Sequence, residues 1–202
     1  MQVRWVRFGM VFGLVVAAGC SRDTGPARPS FNPQSSAAKA IELYDTDKDG
    51  AISKAEVKSS PGLREAFART DKDNDGKLTA AEIAERIQYY KTAPTTIVQG
   101  STRVTYKGQP LIGATVTFEP ESFLGDQFTA CSGETDETGV ASITGHDAGF
   151  PGLYLGFYRV RITKSANGKE AVPAKYNTET TLGYEATDDI PQVADIISFK
   201  LN

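Results

Sequence analysis

Two stretches of the chain place carboxylates at regular intervals around a glycine. Residues 45–56 read DTDKDGAISKAE and residues 71–82 read DKDNDGKLTAAE, so both follow the pattern D-x-D-x-D-G-x-[IL]-x-x-x-E. A hard divalent cation such as Ca²⁺ is held by about 6–8 oxygen ligands at roughly 2.3–2.6 Å, supplied by a loop that wraps around it. The glycine allows the sharp turn such a loop needs, because it lacks a Cβ atom. The sequence therefore predicts two sites for a hard cation.

Each position of the pattern has a predicted role in coordination. Carboxylates supply positions 1, 3 and 5, a backbone carbonyl position 7, a hydroxyl holding a water position 9, and a bidentate glutamate position 12. In the first loop these residues are Asp45, Asp47, Asp49, Ala51, Ser53 and Glu56. In the second loop they are Asp71, Asp73, Asp75, Lys77, Thr79 and Glu82.

These loops resemble an EF-hand pair, and the resemblance implies two bound Ca²⁺ ions. Ile52 and Leu78 occupy the eighth positions, where paired EF-hands form a short β-bridge between the loops. The second loop begins 26 residues after the first (45 to 71), a shorter spacing than is common, so the helices between the loops must be short. The pair is similar to compact EF-hands of extracytoplasmic bacterial proteins. The alternative, two solvated Asp-Gly turns, would have to explain two complete matches.

The N-terminus is written like a secretory signal. Arg4 and Arg7 precede an apolar run at residues 8–18, which is too short for the roughly 20 residues that span a bilayer. The run ends in Ala-Ala-Gly-Cys at residues 17–20, which resembles the lipobox of bacterial lipoproteins. The resemblance implies removal of residues 1–19, lipidation of Cys20, and a lipid-anchored protein of the cell envelope, with Ser21 favouring the outer membrane. Ordinary cleavage, giving a soluble secreted or periplasmic protein, is the alternative.

The rest of the chain divides by composition and period. Residues 20–36 are rich in Pro and Ser and are predicted to be a flexible tether. Residues 37–92 carry the helical EF-hand pair. From residue 97 to 202 apolar residues alternate with polar ones, as in 114–118 (ATVTF) and 158–163 (YRVRIT), which indicates half-buried strands. The predicted fold class is α+β with two domains, a compact helical EF-hand pair followed by an antiparallel β-sandwich.

Three phrases of the strand region resemble the carboxypeptidase regulatory-like, or transthyretin-like, family. They are residues 104–118 (VTYKGQPLIGATVTF), 135–143 (TDETGVASI) and 156–160 (GFYRV). The resemblance implies a prealbumin-like or immunoglobulin-like sandwich that stabilises or interacts and carries no catalytic residues. Together with the lipobox and the EF-hand pair, it is similar to small lipoproteins of planctomycete-type bacteria.

Other chemistry finds little support in the sequence. The single histidine, His146, has no H-E-x-x-H around it, and no G-x-S-x-G accompanies it. Asp188 and Asp189 lie in a polar stretch and are predicted to be solvated, and Cys131 is predicted to be buried. A formal net charge of −3 does not indicate nucleic-acid binding. We expect a protein that is not an enzyme.

Two functions remain open from the sequence. The first is a calcium-binding, non-enzymatic cell-envelope lipoprotein with a structural or interaction role. The second is a sandwich that binds a glycan or an envelope protein, with calcium only as a stabiliser. The second could use an aromatic surface formed by Phe150, Tyr154, Phe157 and Tyr158, although packing in the core is the simpler role for these side chains.

Overall fold

The computed structural model describes residue 1 and residues 27–145, 151–190 and 196–202. Residues 2–19 of the predicted signal segment, Cys20, His146 and Phe150 lie outside the described residues. Within the described ranges, no helix combines the length and the apolar character needed to cross a membrane.

Among the described residues of the first half of the chain there are four α-helices, with a 3-10 turn at Glu56–Ser59. They are α1 (Pro33–Tyr44), α2 (Pro61–Glu65), α3 (Phe67–Thr70) and α4 (Ala80–Thr92). Two further 3-10 turns lie at Ser122–Leu124 and Ala174–Tyr176. Pro61 begins α2 instead of breaking the chain, because proline lacks only an N–H that the first turn leaves unpaired.

The helical region begins earlier than predicted. The Asn32 side chain caps α1 by accepting a hydrogen bond from the Ser35 N–H at 2.9 Å, so the helix starts within the predicted tether of residues 20–36. Arg28 donates to the carbonyl oxygens of Tyr90 and Ala93 at the end of α4. A cation there complements the helix dipole and holds residues before α1 in place.

Strands provide the second half of the fold and two short pieces of the first. In chain order they are β1 (Ala51–Ser53), β2 (Lys77–Thr79), β3 (Ile97–Val98), β4 (Ser101–Tyr106), β5 (Gln109–Pro110), β6 (Thr115–Pro120), β7 (Cys131–Glu134), β8 (Val140–Ser142), β9 (Leu153–Tyr154), β10 (Gly156–Thr163), β11 (Ser165–Ala166), β12 (Lys169–Glu170), β13 (Gly183–Ala186) and β14 (Ile197–Leu201).

The described part of the strand region contains two larger sheets. One has the order β13-β10-β6-β7, and the other has the order β14-β4-β5 with β8 also paired to β4. The rings of Phe118 and Phe199, one from each sheet, lie 6.3 Å apart. Among the described strands, β14 runs parallel to β4, whereas the other pairs are antiparallel as predicted. The α+β layout, helices first and a mainly antiparallel strand region second, is confirmed.

One apolar core runs through both halves of the molecule. It includes Ile52 and Leu78 from the helical half and Phe157 and Tyr158 from β10. The ring of Tyr90 in α4 packs edge-on against Phe157, with centroids 5.2 Å apart. Because Tyr154, Phe157 and Tyr158 are buried in this core, the hypothesis that they form an exposed ligand surface is wrong.

Asp188 and Asp189 are predicted from the sequence to be solvated. Asp189 is exposed and Asp188 is half-buried, but both carboxylates have protein partners. The Asp189 carboxylate accepts hydrogen bonds from the Arg86 guanidinium, which lowers the Asp189 pKa to about 2. Asp188 accepts from the Tyr89 hydroxyl and the Thr95 N–H. The partners are about a hundred residues away in sequence, so local composition could not reveal them.

Glycine allows the helices to lie directly on the sheet. A Cβ atom on Gly62 would lie 2.5 Å from the backbone nitrogen of Tyr158, and one on Gly183 would lie 2.0 Å from the carbonyl oxygen of Pro61. The backbone of α2 therefore touches the backbones of β10 and β13. This close approach fixes the distance between the two halves.

We expect Gly62→Ala to destabilise the protein by about 3 kcal/mol, because the added methyl group meets rigid backbone and pushes α2 off the sheet. Chemical unfolding would measure the loss. Gly168→Ala is the matched control, since that glycine has a positive φ but open space around it and should lose only about 1 kcal/mol through backbone strain. Equal losses in the two variants would contradict this account of the interface.

Candidate metal centre

The two acidic loops have left-handed backbone conformations at the same two positions. At the fourth position Lys48 and Asn74 have φ of 62° and 59°, and at the sixth Gly50 and Gly76 have φ of 92° and 85°. Two left-handed residues in each loop turn the chain back on itself, which aims successive carboxylates toward a common point. The repeated sequence therefore produces a repeated loop shape.

The loops lie side by side through the predicted β-bridge, which is confirmed. β1 pairs with β2 antiparallel, with Ile52 opposite Leu78, and both side chains are fully buried. The close spacing of the loops thus still permits pairing, because α2 and α3 are very short. The pairing also brings the Lys77 ammonium of the second loop against Asp49 Oδ2 of the first, at 2.5 Å.

Carboxylate oxygens converge in both loops. One oxygen from each of three carboxylates lies within 4.8 Å of the others in each loop. The two groups are Asp45, Asp47, Asp49 and Asp71, Asp73, Glu82. Negative charges at this separation repel one another, so a cation between them would be stabilising. Glu56 and Asp75 lie outside these groups, and Asp75 Oδ1 accepts from the Lys77 N–H at 2.8 Å.

The closing glutamates are held by hydrogen bonds at the start of the segment after each loop. Glu56 accepts from the N–H and hydroxyl of Ser53 and from Thr46, and these bonds lower the Glu56 pKa well below its usual range. Burial opposes ionisation of Glu82, but bonds from Thr79 and Lys72 lower its pKa overall. Both glutamates are therefore carboxylates at neutral pH, ready to bind a cation.

The ninth and seventh positions have structural roles as well. The hydroxyls of Ser53 and Thr79 donate to the closing glutamates, and Thr79 forms a capping box with Glu82 at the start of α4. Ala51 and Lys77 lie in β1 and β2, next to the loop glycines. The predicted metal contacts of these four residues stay predictions.

The surroundings of the Asp71 carboxylate show whether the second loop fits a cation. The residue is 7% exposed, and its Oδ2 accepts from the Gly76 N–H at 3.1 Å. Its Oδ1 is buried and has no hydrogen-bond partner among the described residues. A buried charged oxygen without a partner is costly. A cation in the second loop would satisfy this oxygen, so the donor set fits an oxygen-ligated metal ion.

The first loop differs in its electrostatics. Asp45, at the position equivalent to Asp71, accepts hydrogen bonds at both oxygens, from Asp49 and Gly50. The hydrogen bond from Lys77 lowers the Asp49 pKa and raises that of Lys77. An ammonium group thus already neutralises part of the first loop, an interaction that the sequence reasoning missed because Lys77 belongs to the second loop.

Comparison with known families agrees with this geometry. The family model described as EF hand matches residues 38–59 and 63–85. The chain therefore contains two EF-hand motifs, and their acidic clusters indicate calcium binding. A search of solved structures finds no significant match to the chain. The resemblance of the strand region to carboxypeptidase regulatory-like domains stays a prediction.

Asp71→Asn should change stability in opposite directions with and without calcium. Without calcium the amide removes a buried unpaired charge, so we expect a gain of about 1 kcal/mol. At calcium 10 to 100 times the dissociation constant, the variant should lack the roughly 1–3 kcal/mol that binding adds to the native protein.

Chemical unfolding in a chelator and in millimolar calcium would measure both effects. Glu137→Gln removes an exposed acid outside the loops and serves as control. Its stability relative to the native protein should be the same in chelator and in calcium. A variant that is less stable than the native protein by the same amount in both conditions would contradict a metal role for Asp71.

Proposed function

We propose that the protein is a calcium-binding, non-enzymatic lipoprotein of the cell envelope in which two Ca²⁺ ions have a structural role. The observation that carries the calcium part is the buried Asp71 Oδ1, which has no hydrogen-bond partner among the described residues, in a carboxylate that is grouped with those of Asp73 and Glu82. An ion in the second loop would satisfy this oxygen, and an ion in either loop would hold the helices that enter and leave that loop.

A structural role suits the way the loops are built into the molecule. The helices beside them share one core with the sheets, so an ion that rigidifies a loop also stabilises the core. Calcium sites of extracellular modules have dissociation constants of about 10⁻⁴–10⁻³ M. At free calcium about ten times the dissociation constant, each site would contribute roughly 1.4 kcal/mol to stability. Such weak sites serve a protein that is exposed to constant calcium.

Calorimetric titration of the purified protein with calcium tests the proposal directly. We expect two sites, with Asp45→Ala and Asp71→Ala each removing one. The second loop should bind more tightly, because Lys77 partly neutralises the first. Magnesium should bind more weakly to both sites, since it favours near-ideal octahedral coordination. Glu137→Gln should bind as the native protein does. Absence of heat and of stabilisation at millimolar calcium would overturn the calcium function.

The envelope location rests on the N-terminal sequence and needs its own experiment. If Cys20 is lipidated, cells that express the protein should incorporate a labelled fatty acid into it, and the protein should partition into the detergent phase. Cys20→Ser should lose both properties, whereas Cys131→Ser should keep them, because Cys131 is buried in the strand region. Release of unlabelled native protein into the soluble fraction would support ordinary secretion instead.

A further inference from the structure

Two glutamates of the strand region are buried where it meets the EF-hand helices. Glu121 follows β6 and is 3% exposed, and Glu185 lies in β13 and is 4% exposed. We call them the clamp glutamates. Neither belongs to a loop that binds metal, and a buried carboxylate is stable only when hydrogen bonds or ion pairs satisfy it. Their hydrogen-bond partners lie in the helices of the EF-hand pair.

Glu185 contacts the helices on both sides of the second loop. Its Oε1 accepts from Arg86 Nε at 2.6 Å and from the Tyr90 hydroxyl at 2.5 Å, both in α4. Its Oε2 accepts from Arg69 Nε at 2.6 Å, in α3. The chain enters the second loop from α3 at Asp71 and leaves it into α4. One carboxylate thus ties the entering helix to the exiting helix.

Glu121 makes the same kind of connection at the first loop. Its Oε2 accepts from the hydroxyl of Tyr44, the last residue of α1, which directly precedes Asp45. Its Oε1 accepts from the Gly62 N–H in α2 at 2.9 Å. α2 follows the 3-10 turn in which the first loop ends. Burial raises the pKa of Glu121, and the hydrogen bonds from both sides counteract it.

Such connections restrict what an EF-hand can do. In calcium sensors the ion changes the angle between the entering and exiting helices. Here a change of that angle would pull one helix away from a buried carboxylate and leave a charge or polar group without its partner. This is unfavourable, so the angle in each hand is set by the strand region.

We propose that Glu121 and Glu185 are positioning residues for calcium, which preset the helix angle of each hand so that the loop binds the ion without opening. The inference rests on the proposed calcium function and adds the means by which the strand region determines affinity. In this proposal the strand region sets the helix angles of the EF-hand pair. Each clamp glutamate should act on its own loop.

Loop-specific titration of the full chain tests this assignment. In an Asp45→Ala background, where the second loop remains, Glu185→Gln should weaken calcium binding at least about tenfold, as loss of supporting hydrogen bonds around metal sites does. In an Asp71→Ala background, Glu121→Gln should weaken the first loop similarly. Each substitution should leave the other loop within about twofold. Glu119→Gln, which breaks an ion pair of β6 with Arg161 alone, is the matched control.

A distance measurement separates positioning from general destabilisation. Spin labels at Ala68→Cys and Gln88→Cys, exposed sites in α3 and α4, report the angle of the second hand. The measurement uses protein that also carries Cys20→Ser, because a free Cys20 would take the label. Cys131 is buried, with its pKa raised to about 12, so it should not react with the label. The native distance should stay the same when calcium is added, whereas Glu185→Gln should make it calcium-dependent. If Glu185→Gln does not fold, Arg69→Gln is used in its place, because of the Glu185 contacts it removes only the one from α3.

The outcomes of these experiments distinguish the positioning role of the two glutamates from the calcium function on which it rests. Failure of the native protein to bind calcium would overturn both. Normal binding with equal affinities in the clamp variants and Glu119→Gln would overturn the positioning role alone. A native distance that changes on calcium addition would also overturn it, because the hands would then open. Equal weakening of both loops by either clamp variant would indicate a general structural effect and would contradict the assignment.

Discussion

The buried ion pair between Arg86 and Glu185 joins α4 to β13, where the helical half of the molecule meets the strand region. Both side chains are almost fully buried, and the guanidinium also binds Asp189 and lies over the rings of Tyr89 and Tyr90. A buried pair is not a large source of net stability, because desolvation offsets the attraction. Removal of one partner, however, costs about 3–5 kcal/mol, since the other charge is left uncompensated. The pair therefore determines where α4 can lie.

The short helices α2 and α3 depend on the rest of the fold, because they are too short to form alone. α2 has 5 residues and α3 has 4, whereas isolated helices of fewer than about 12 residues are marginal in water. Leu63, Ala66 and Phe67 bury these turns in the common core. The compact spacing of the two loops is thus possible only because the strand region supplies the packing that longer helices would otherwise provide. The EF-hand pair and the sheets share one apolar core.

What the sequence could predict was local. Ligand spacing, the loop glycines and the eighth-position residues lie within twelve positions, so the loops and their bridge could be recognised directly. The alternation in 158–163 predicted β10 in the same way. Glu185 and Asp189 carry no such signal, because their partner Arg86 is far away in sequence. Charges in a strand or a polar stretch are usually solvated, and nothing local distinguishes these two carboxylates from solvated ones. Only the fold brings the buried arginine to them.

The two loops share one ligand pattern but differ in their surroundings. Lys77 contributes its ammonium to the first loop, at an exposed position where ions in solution screen the interaction. Asp71 contributes a buried oxygen to the second loop, and burial protects its charge from screening. Added salt should therefore weaken the Lys77 contact more than it weakens the demand of Asp71 for a cation. The difference between the sites arises from burial and from the neighbouring loop, and not from the ligand pattern that both loops share.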